Sequence, residues 1–102
     1  MPQFLRVGSK SEMPAPGQAK EFTAAGKLIC VANVSGTLCA MDNVCRHRGA
    51  ALGQGTVTAG KVVCPWHGWR WDPRTGAAVE SSRLRLTVYR LILQNDDVLV
   101  EL

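Results

Sequence analysis

Two short stretches of the 102-residue sequence hold the residue types most able to do chemistry. The first, "NVCRHRGAALGQG" at 43–55, contains Cys45 and His47; the second, "VVCPWHGWRWDPRTG" at 62–76, contains Cys64 and His67. These are the only two histidines and two of the four cysteines in the chain. The pattern is Cys45-x-His47, sixteen intervening residues, then Cys64-x-x-His67. Two thiolates and two neutral imidazoles make a complete tetrahedral set for one zinc ion. They also make a complete set for a two-iron, two-sulfide cluster with two cysteines on one iron and two histidines on the other. Zinc sites usually pair C-x-x-C with H-x-x-x-H, whereas here each stretch offers one thiol and one imidazole. Two matched loops of that kind fit a two-ended object better than a point.

The neighbours of these four residues suit a metal loop. Gly49, Gly53, Gly55 and Gly68 let the backbone approach closely and aim N–H groups inward, where successive N–H groups make a nest for an anion such as bridging sulfide. Pro65 stiffens the second loop. Arg46 and Arg48 flank His47 and are expected to point to solvent, as plain loop residues or as docking contacts. Trp69 and Trp71 are expected to pack and keep water off the site. Trp66, between Pro65 and His67, is the tryptophan expected to face a partner.

"CRHRGAALGQG" followed by "CPWHGWRWDPRTG" resembles the two cluster-binding boxes of the Rieske [2Fe–2S] family. The resemblance covers about thirty residues closely, including the glycine after His67 and the aromatic–Asp run ending in a turn at Gly76. It implies an all-β fold: a small antiparallel β-sandwich of stacked sheets, with a cluster-binding subdomain of two loops (about 43–76) at one end. It implies one Rieske-type [2Fe–2S] cluster, with Cys45 and Cys64 on the inner iron and His47 and His67 on the outer, nearer solvent. High-potential members carry an extra cysteine in each loop, a serine in the second box and a membrane tether. The corresponding positions here hold Ala50, Trp66 and Trp69. The extra cysteines of those members form a disulfide, and without the serine donor the potential here is expected toward the lower end of the family range of about −150 to +300 mV.

The branch that remains is a soluble Rieske-type ferredoxin with no catalytic residues of its own. It would pass single electrons from a flavoprotein reductase to a terminal oxygenase or similar acceptor, docking near His47 and His67. Alternatives are a small Rieske subunit of a larger oxidoreductase such as a nitrite reductase, and a structural zinc-binding interaction module. An oxygenase would need a second iron site of two histidines and a carboxylate, and no histidine is left to build one.

The elements that must position these loops read as short strands. A chain of 102 residues is expected to form one domain, 1–102. Strands are expected at 4–8 and over 19–26, with "SKSEMPAPGQ" between them as loop because Pro14 and Pro16 bar regular pairing. "KLICVANVSGTLCAMD" is a hairpin turning at Ser35-Gly36, with Leu28, Cys30, Ala32 and Val34 on one face. That register sets Cys30 against Met41 and Cys39 against Ala32, a poor disulfide geometry, so both are expected as free thiols. A last hairpin runs over 84–94, turns at 95–97 and returns through "VLVEL". Leu84, Leu86 and Val88 keep one phase and Tyr89, Leu91 and Leu93 the other, so a bulge or a change of sheet is expected near Val88–Tyr89. Between the hairpins only "KVVC" and "WRW" read as strand.

The net charge of +4 is uneven. From 45 to 74 the chain has five basic residues (Arg46, Arg48, Lys61, Arg70, Arg74) against Asp72, while the remainder has seven of each sign. The basic end suggests a partner with an acidic patch. No lysine-rich run is present, which argues against nucleic acid. No apolar run approaches the ~20 residues of a membrane span, and the first residues lack signal-peptide order. The expected location is cytoplasmic, where thiols stay reduced.

Overall fold

The computed structural model describes residues 3–45, 50–66 and 68–102. Arg46, His47, Arg48, Gly49 and His67, five of the site residues read from the sequence, lie outside the described residues.

Ten strands are described: β1 (Phe4–Ser9), β2 (Ala19–Ala24), β3 (Lys27–Val34), β4 (Thr37–Asp42), β5 (Thr56–Thr58), β6 (Lys61–Val63), β7 (Arg70–Trp71), β8 (Val88–Tyr89), β9 (Leu91–Gln94) and β10 (Asp97–Glu101). They form three antiparallel sheets, ordered β1-β10-β9, β2-β3-β4-β8 and β5-β6-β7. Short single turns of 3-10 helix occur at Lys10–Glu12 and Leu52–Gln54.

Turn chemistry sets the hairpins. Ala25-Gly26, Ser35-Gly36 and Ala59-Gly60 all have positive φ at both residues, the backbone that continues strand twist through a two-residue loop. The first two turns follow the glycines read from the sequence. The third joins β5 to β6, and β5 is a strand the sequence reading did not expect. The last hairpin turns at Asn95-Asp96, with Asp97 already paired to Gln94, one residue tighter than expected.

The central sheet divides the interior. On β3, Ile29 and Val31 pack with Ala24, Ala40 and Val100 on one side, while Cys30 and Ala32 pack with Met41, Leu52, Val62, Trp71 and Leu86 on the other. This strand is therefore buried on both faces from Ile29 to Val34, where an alternating strand was expected. Leu28, placed on the same face as Cys30 and Ala32, is 42% exposed at the strand end. Burying Ile29 and Val31 fully contributes roughly 1.5–3 kcal/mol each, which ties the outer β1-β10-β9 sheet to the sheet that carries the site.

The phase conflict in the last hairpin resolves as a change of sheet. Val88 and Tyr89 pair with Met41 and Ala40 on β4, and from Leu91 the chain pairs with β10. Arg90 is the joint, its carbonyl accepting from Glu101 N–H at 2.9 Å. The stretch 84–87, expected as strand, makes only an isolated bridge, Ala77 to Arg85, and single bonds such as Leu86 N–H to the Gly76 carbonyl at 2.8 Å. Its job is to cover the second loop, with Leu86 buried in the same sub-core as the site. Cys30 stands opposite Met41 and Cys39 opposite Ala32 as expected, and all four cysteines are free.

Candidate metal centre

Both loops are closed by the same device. After β4, Cys45 N–H donates to the Ala50 carbonyl at 2.8 Å; after β6, Cys64 N–H donates to the Trp69 carbonyl at 2.7 Å. Each cysteine is thus tied to the residue five positions further along its own loop. In the sequence, His47 falls between Cys45 and Ala50, and His67 between Cys64 and Trp69. Gly68 has φ +71 with open space around it, so the left-handed turn, not close approach, is what it supplies.

The first loop is fixed to the sheet by Asn43. Its side chain is 1% exposed, donates to Glu21 Oε1 at 2.5 Å and accepts from Gly53 N–H at 2.8 Å. Its carbonyl accepts from Leu52 N–H at 2.7 Å. Gly53 lies so close to β2 that a Cβ would stand 2.5 Å from Glu21 N, and at Gly55 a Cβ would overlap the Val63 carbonyl oxygen. These two glycines thus serve loop-to-strand packing. Their N–H groups are engaged by Asn43 Oδ1 and the Leu52 carbonyl, so the expected anion nest does not include them. Sequence reasoning passed over Asn43 and Glu21, because a polar pair twenty-two positions apart leaves no local signal.

The second loop is held by the turn that follows it. Asp72 Oδ1 accepts from Arg74 N–H at 2.9 Å, and Gly76 N–H donates to the Asp72 carbonyl at 2.7 Å. Trp71 is fully buried and lies 6.2 Å, centroid to centroid, from Trp69 at an interplanar angle of 38°. Trp71 belongs to the sub-core that contains Cys45 and Cys64, and Trp69 packs against it. Trp66 is 56% exposed beside the exposed Pro65.

Cys45 and Cys64, nineteen positions apart, are 1% and 2% exposed and belong to one packed sub-core. Their side chains are near enough for Cys45 to perturb the Cys64 thiol. Burial pushes the Cys64 thiol up, Trp66 backbone N–H pulls it down by donating to its sulfur, and the neighbouring Cys45 pushes it up again. Two sulfurs buried together from separate loops suit a thiophilic cation, which would neutralise the charge of both thiolates. Iron held through two thiolate sulfurs fits that donor set, and a backbone N–H aimed at one sulfur fits an anionic ligand.

Charge around the loops is lower than the local count suggests. Glu80, from outside the basic segment, accepts from Arg70 N–H at 2.6 Å and pairs with its side chain at 3.3 Å. Lys61 stands 4.0 Å from Asp72. Arg74 remains exposed, with no ion pair recorded for it among the described residues.

The Rieske [2Fe-2S] domain model matches residues 3–90, both loops included. The chain belongs to the Rieske [2Fe–2S] family. Membership implies one Rieske cluster with two cysteine and two histidine ligands. Among curated proteins, the oxygenase component of 3-ketosteroid-9-alpha-monooxygenase from Mycobacterium tuberculosis is 47% identical over 45 residues, 44% of this chain and 12% of that protein. The oxygenase subunit of glycine betaine monooxygenase from Chromohalobacter salexigens is 38% identical over 72 residues, 69% of this chain and 16% of that protein. This Rieske chain thus spans only a small fraction of the curated relatives it matches. A solved structure, the ferredoxin of carbazole 1,9a-dioxygenase from Nocardioides aromaticivorans IC177, superposes with a TM-score of 0.85 at 28% identity, covering 96% of each chain. The fold is also that of a putative NADH-dependent nitrite reductase small subunit from Mycobacterium tuberculosis, with a TM-score of 0.88 at 16% identity over 99% of this chain and 96% of that one. The all-β architecture of stacked antiparallel sheets read from the sequence agrees with these structures.

Proposed function

We propose that this Rieske protein is a one-electron carrier that takes electrons from a flavoprotein reductase and passes them to a terminal oxygenase, without catalysis of its own. The observation that carries the reading is the meeting of Cys45 and Cys64, one from each loop, in a single buried sub-core. Cys45 and Cys64 would hold one iron through sulfur, and His47 and His67 the other through ring nitrogen. When bound, the cluster supplies a site where one electron can lodge with little rearrangement. The chain's own residues do the rest. Trp69, Trp71, Leu52 and Leu86 exclude water from the thiolate side, and Trp66 N–H steadies the Cys64 sulfur.

Trp66 and Pro65 offer an exposed apolar surface at the tip of the second loop, beside His67 in sequence, where an acceptor would dock. Support comes from a solved complex of reduced oxygenase and oxidized ferredoxin in carbazole 1,9a-dioxygenase, matched at 28% identity with a TM-score of 0.81, over 95% of this chain and 91% of that one. Arg74 would add attraction to an acidic patch. With Arg70 and Lys61 already facing Glu80 and Asp72, rates should fall only moderately as salt rises. A second reading, a subunit of a larger oxygenase, is favoured by the curated relatives, which are oxygenase components. Stable co-purification with a catalytic subunit would select it.

The test is anaerobic purification with visible absorption, reduced-state EPR and acid-labile sulfide. The expected result is a red-brown protein with a Rieske signal that is lost in Cys45→Ser and Cys64→Ser, along with much of the stability, since ligand binding and folding are coupled. Trp66→Ala should leave the spectrum and potential unchanged and slow electron transfer to the oxygenase about tenfold, as loss of a docking anchor does. A colourless protein with stoichiometric zinc and no labile sulfide would refute the proposal.

A further inference from the structure

Trp71 poses a problem that the fold by itself does not solve. Its ring is wholly buried, and among the described residues its indole Nε1 is the buried side-chain polar atom without a hydrogen-bond partner. Leaving such an N–H unmet forfeits its hydration without replacement, and native proteins keep few of them.

The position of the ring suggests what meets it. Trp71 pairs with Val62 across β6 and β7. Cys64 lies two residues beyond Val62, on the same strand face, and its N–H bond to the Trp69 carbonyl carries the register onward. Trp69 is thus across from Cys64, and Trp71 is one diagonal step behind it. Diagonal neighbours on a sheet face are about 7–8 Å apart at the backbone, within reach of an aromatic side chain. Trp71, Cys45 and Cys64 share one sub-core, and the other buried side chains there are Ala, Val, Leu, Met41 and Cys30. Of its sulfurs, those of Cys45 and Cys64 are the pair that become anionic when iron binds, and anionic acceptors make the stronger bonds.

We infer that the indole N–H of Trp71 is a hydrogen-bond donor to the anionic sulfur of the loaded metal centre and tunes its reduction potential. The inference rests on the proposal that Cys45 and Cys64 hold the cluster. A donor to cluster sulfur favours the reduced, more negative state. Removing it therefore lowers the potential.

Two replacements separate the donor from the shape. Trp71→Phe removes the N–H and some volume; incorporation of benzothienylalanine at 71 removes the N–H and keeps the ring size. Both should retain the visible spectrum of the cluster, which tests the underlying assignment separately. Spectroelectrochemical titration should find both potentials lowered together, by roughly tenfold in the equilibrium constant for reduction, or about 59 mV for one electron. Val62→Ala, which opens the same sub-core but leaves the donor, should not reproduce the shift. If Phe cannot be loaded, the benzothienylalanine protein decides alone. An unchanged or raised potential in a fully loaded benzothienylalanine protein, or an equal lowering in Val62→Ala, overturns the inference.

Discussion

Replacing Asn43 by alanine should loosen the first metal loop without touching a ligand. The substitution keeps the Leu52 N–H bond, which goes to the Asn43 backbone carbonyl, and removes two side-chain bonds. Gly53 N–H then loses its acceptor in a half-buried position pinned against Glu21, at about 1–2 kcal/mol. Glu21 is exposed, so its freed carboxylate is resolvated and adds only about 0.5–1 kcal/mol. The sum is about 1.5–3 kcal/mol, centred on 43–53. Native-state hydrogen exchange reads it directly: the Leu52 and Gly53 amides should exchange about ten- to a hundredfold faster, since each 1.4 kcal/mol is tenfold. The isosteric Asn43→Asp sharpens the test. It keeps an acceptor for Gly53 but places a second carboxylate beside Glu21. The introduced acid holds its proton more tightly folded than unfolded, so its contribution is present at acid pH and lost as pH rises. Asn43→Asp should be destabilised at pH 7 and recover part of that loss below about pH 4. Amide protection within twofold of wild type in Asn43→Ala, or wild-type stability of Asn43→Asp at pH 7, would refute the reasoning.

Cys30 and Gly76 give two further expectations. Burial, with the charge of Glu21 adding, pushes the Cys30 thiol up to about 12, above the roughly 8.5 of an unfolded cysteine. That stability is present below about pH 8.5 and is lost as pH rises toward 12, so urea midpoints of Cys30→Ala should fall less steeply with alkaline pH than those of wild type; an identical slope would count against it. In the native protein iodoacetamide should label the half-buried Cys39 before Cys30, and mass spectrometry showing the reverse order would contradict the burial argument. At Gly76 the φ of +81 adds strain for any side chain, and a Cβ would overlap the Leu86 carbonyl oxygen; Gly26, with φ +75, has nothing within 4 Å. Gly76→Ala should therefore lose more than about 2 kcal/mol and Gly26→Ala about 1 kcal/mol, and equal shifts in Tm would be inconsistent with the close contact.

The elements read most easily from sequence were those fixed by neighbours along the chain. Ser35-Gly36 set the register that places Cys30 opposite Met41, and the phase conflict around Val88–Tyr89 located the change of sheet near Arg90. Ala59-Gly60 carried the same turn signal as Ala25-Gly26, yet the glycine-rich surroundings hid β5. Leu84–Thr87 alternates like a strand but pairs only through the isolated Ala77–Arg85 bridge and single bonds, so alternation alone misled. The double burial of β3 was not legible, because its second face is covered by β1 and β10, the first and last strands of the chain.

By itself the sequence determined the donor types, one thiol and one imidazole in each of two loops, and the turns that make those loops possible. These are short-range properties, set by side-chain chemistry and by φ preferences at single residues. Only the tertiary structure decided that Cys45 and Cys64 meet in one buried sub-core, that Asn43 ties the first loop to Glu21, that Glu80 folds back on Arg70, and that the Trp71 N–H is buried without a partner among the described residues. Each of those depends on which distant strands pack together, and burial, not spacing, fixes that choice.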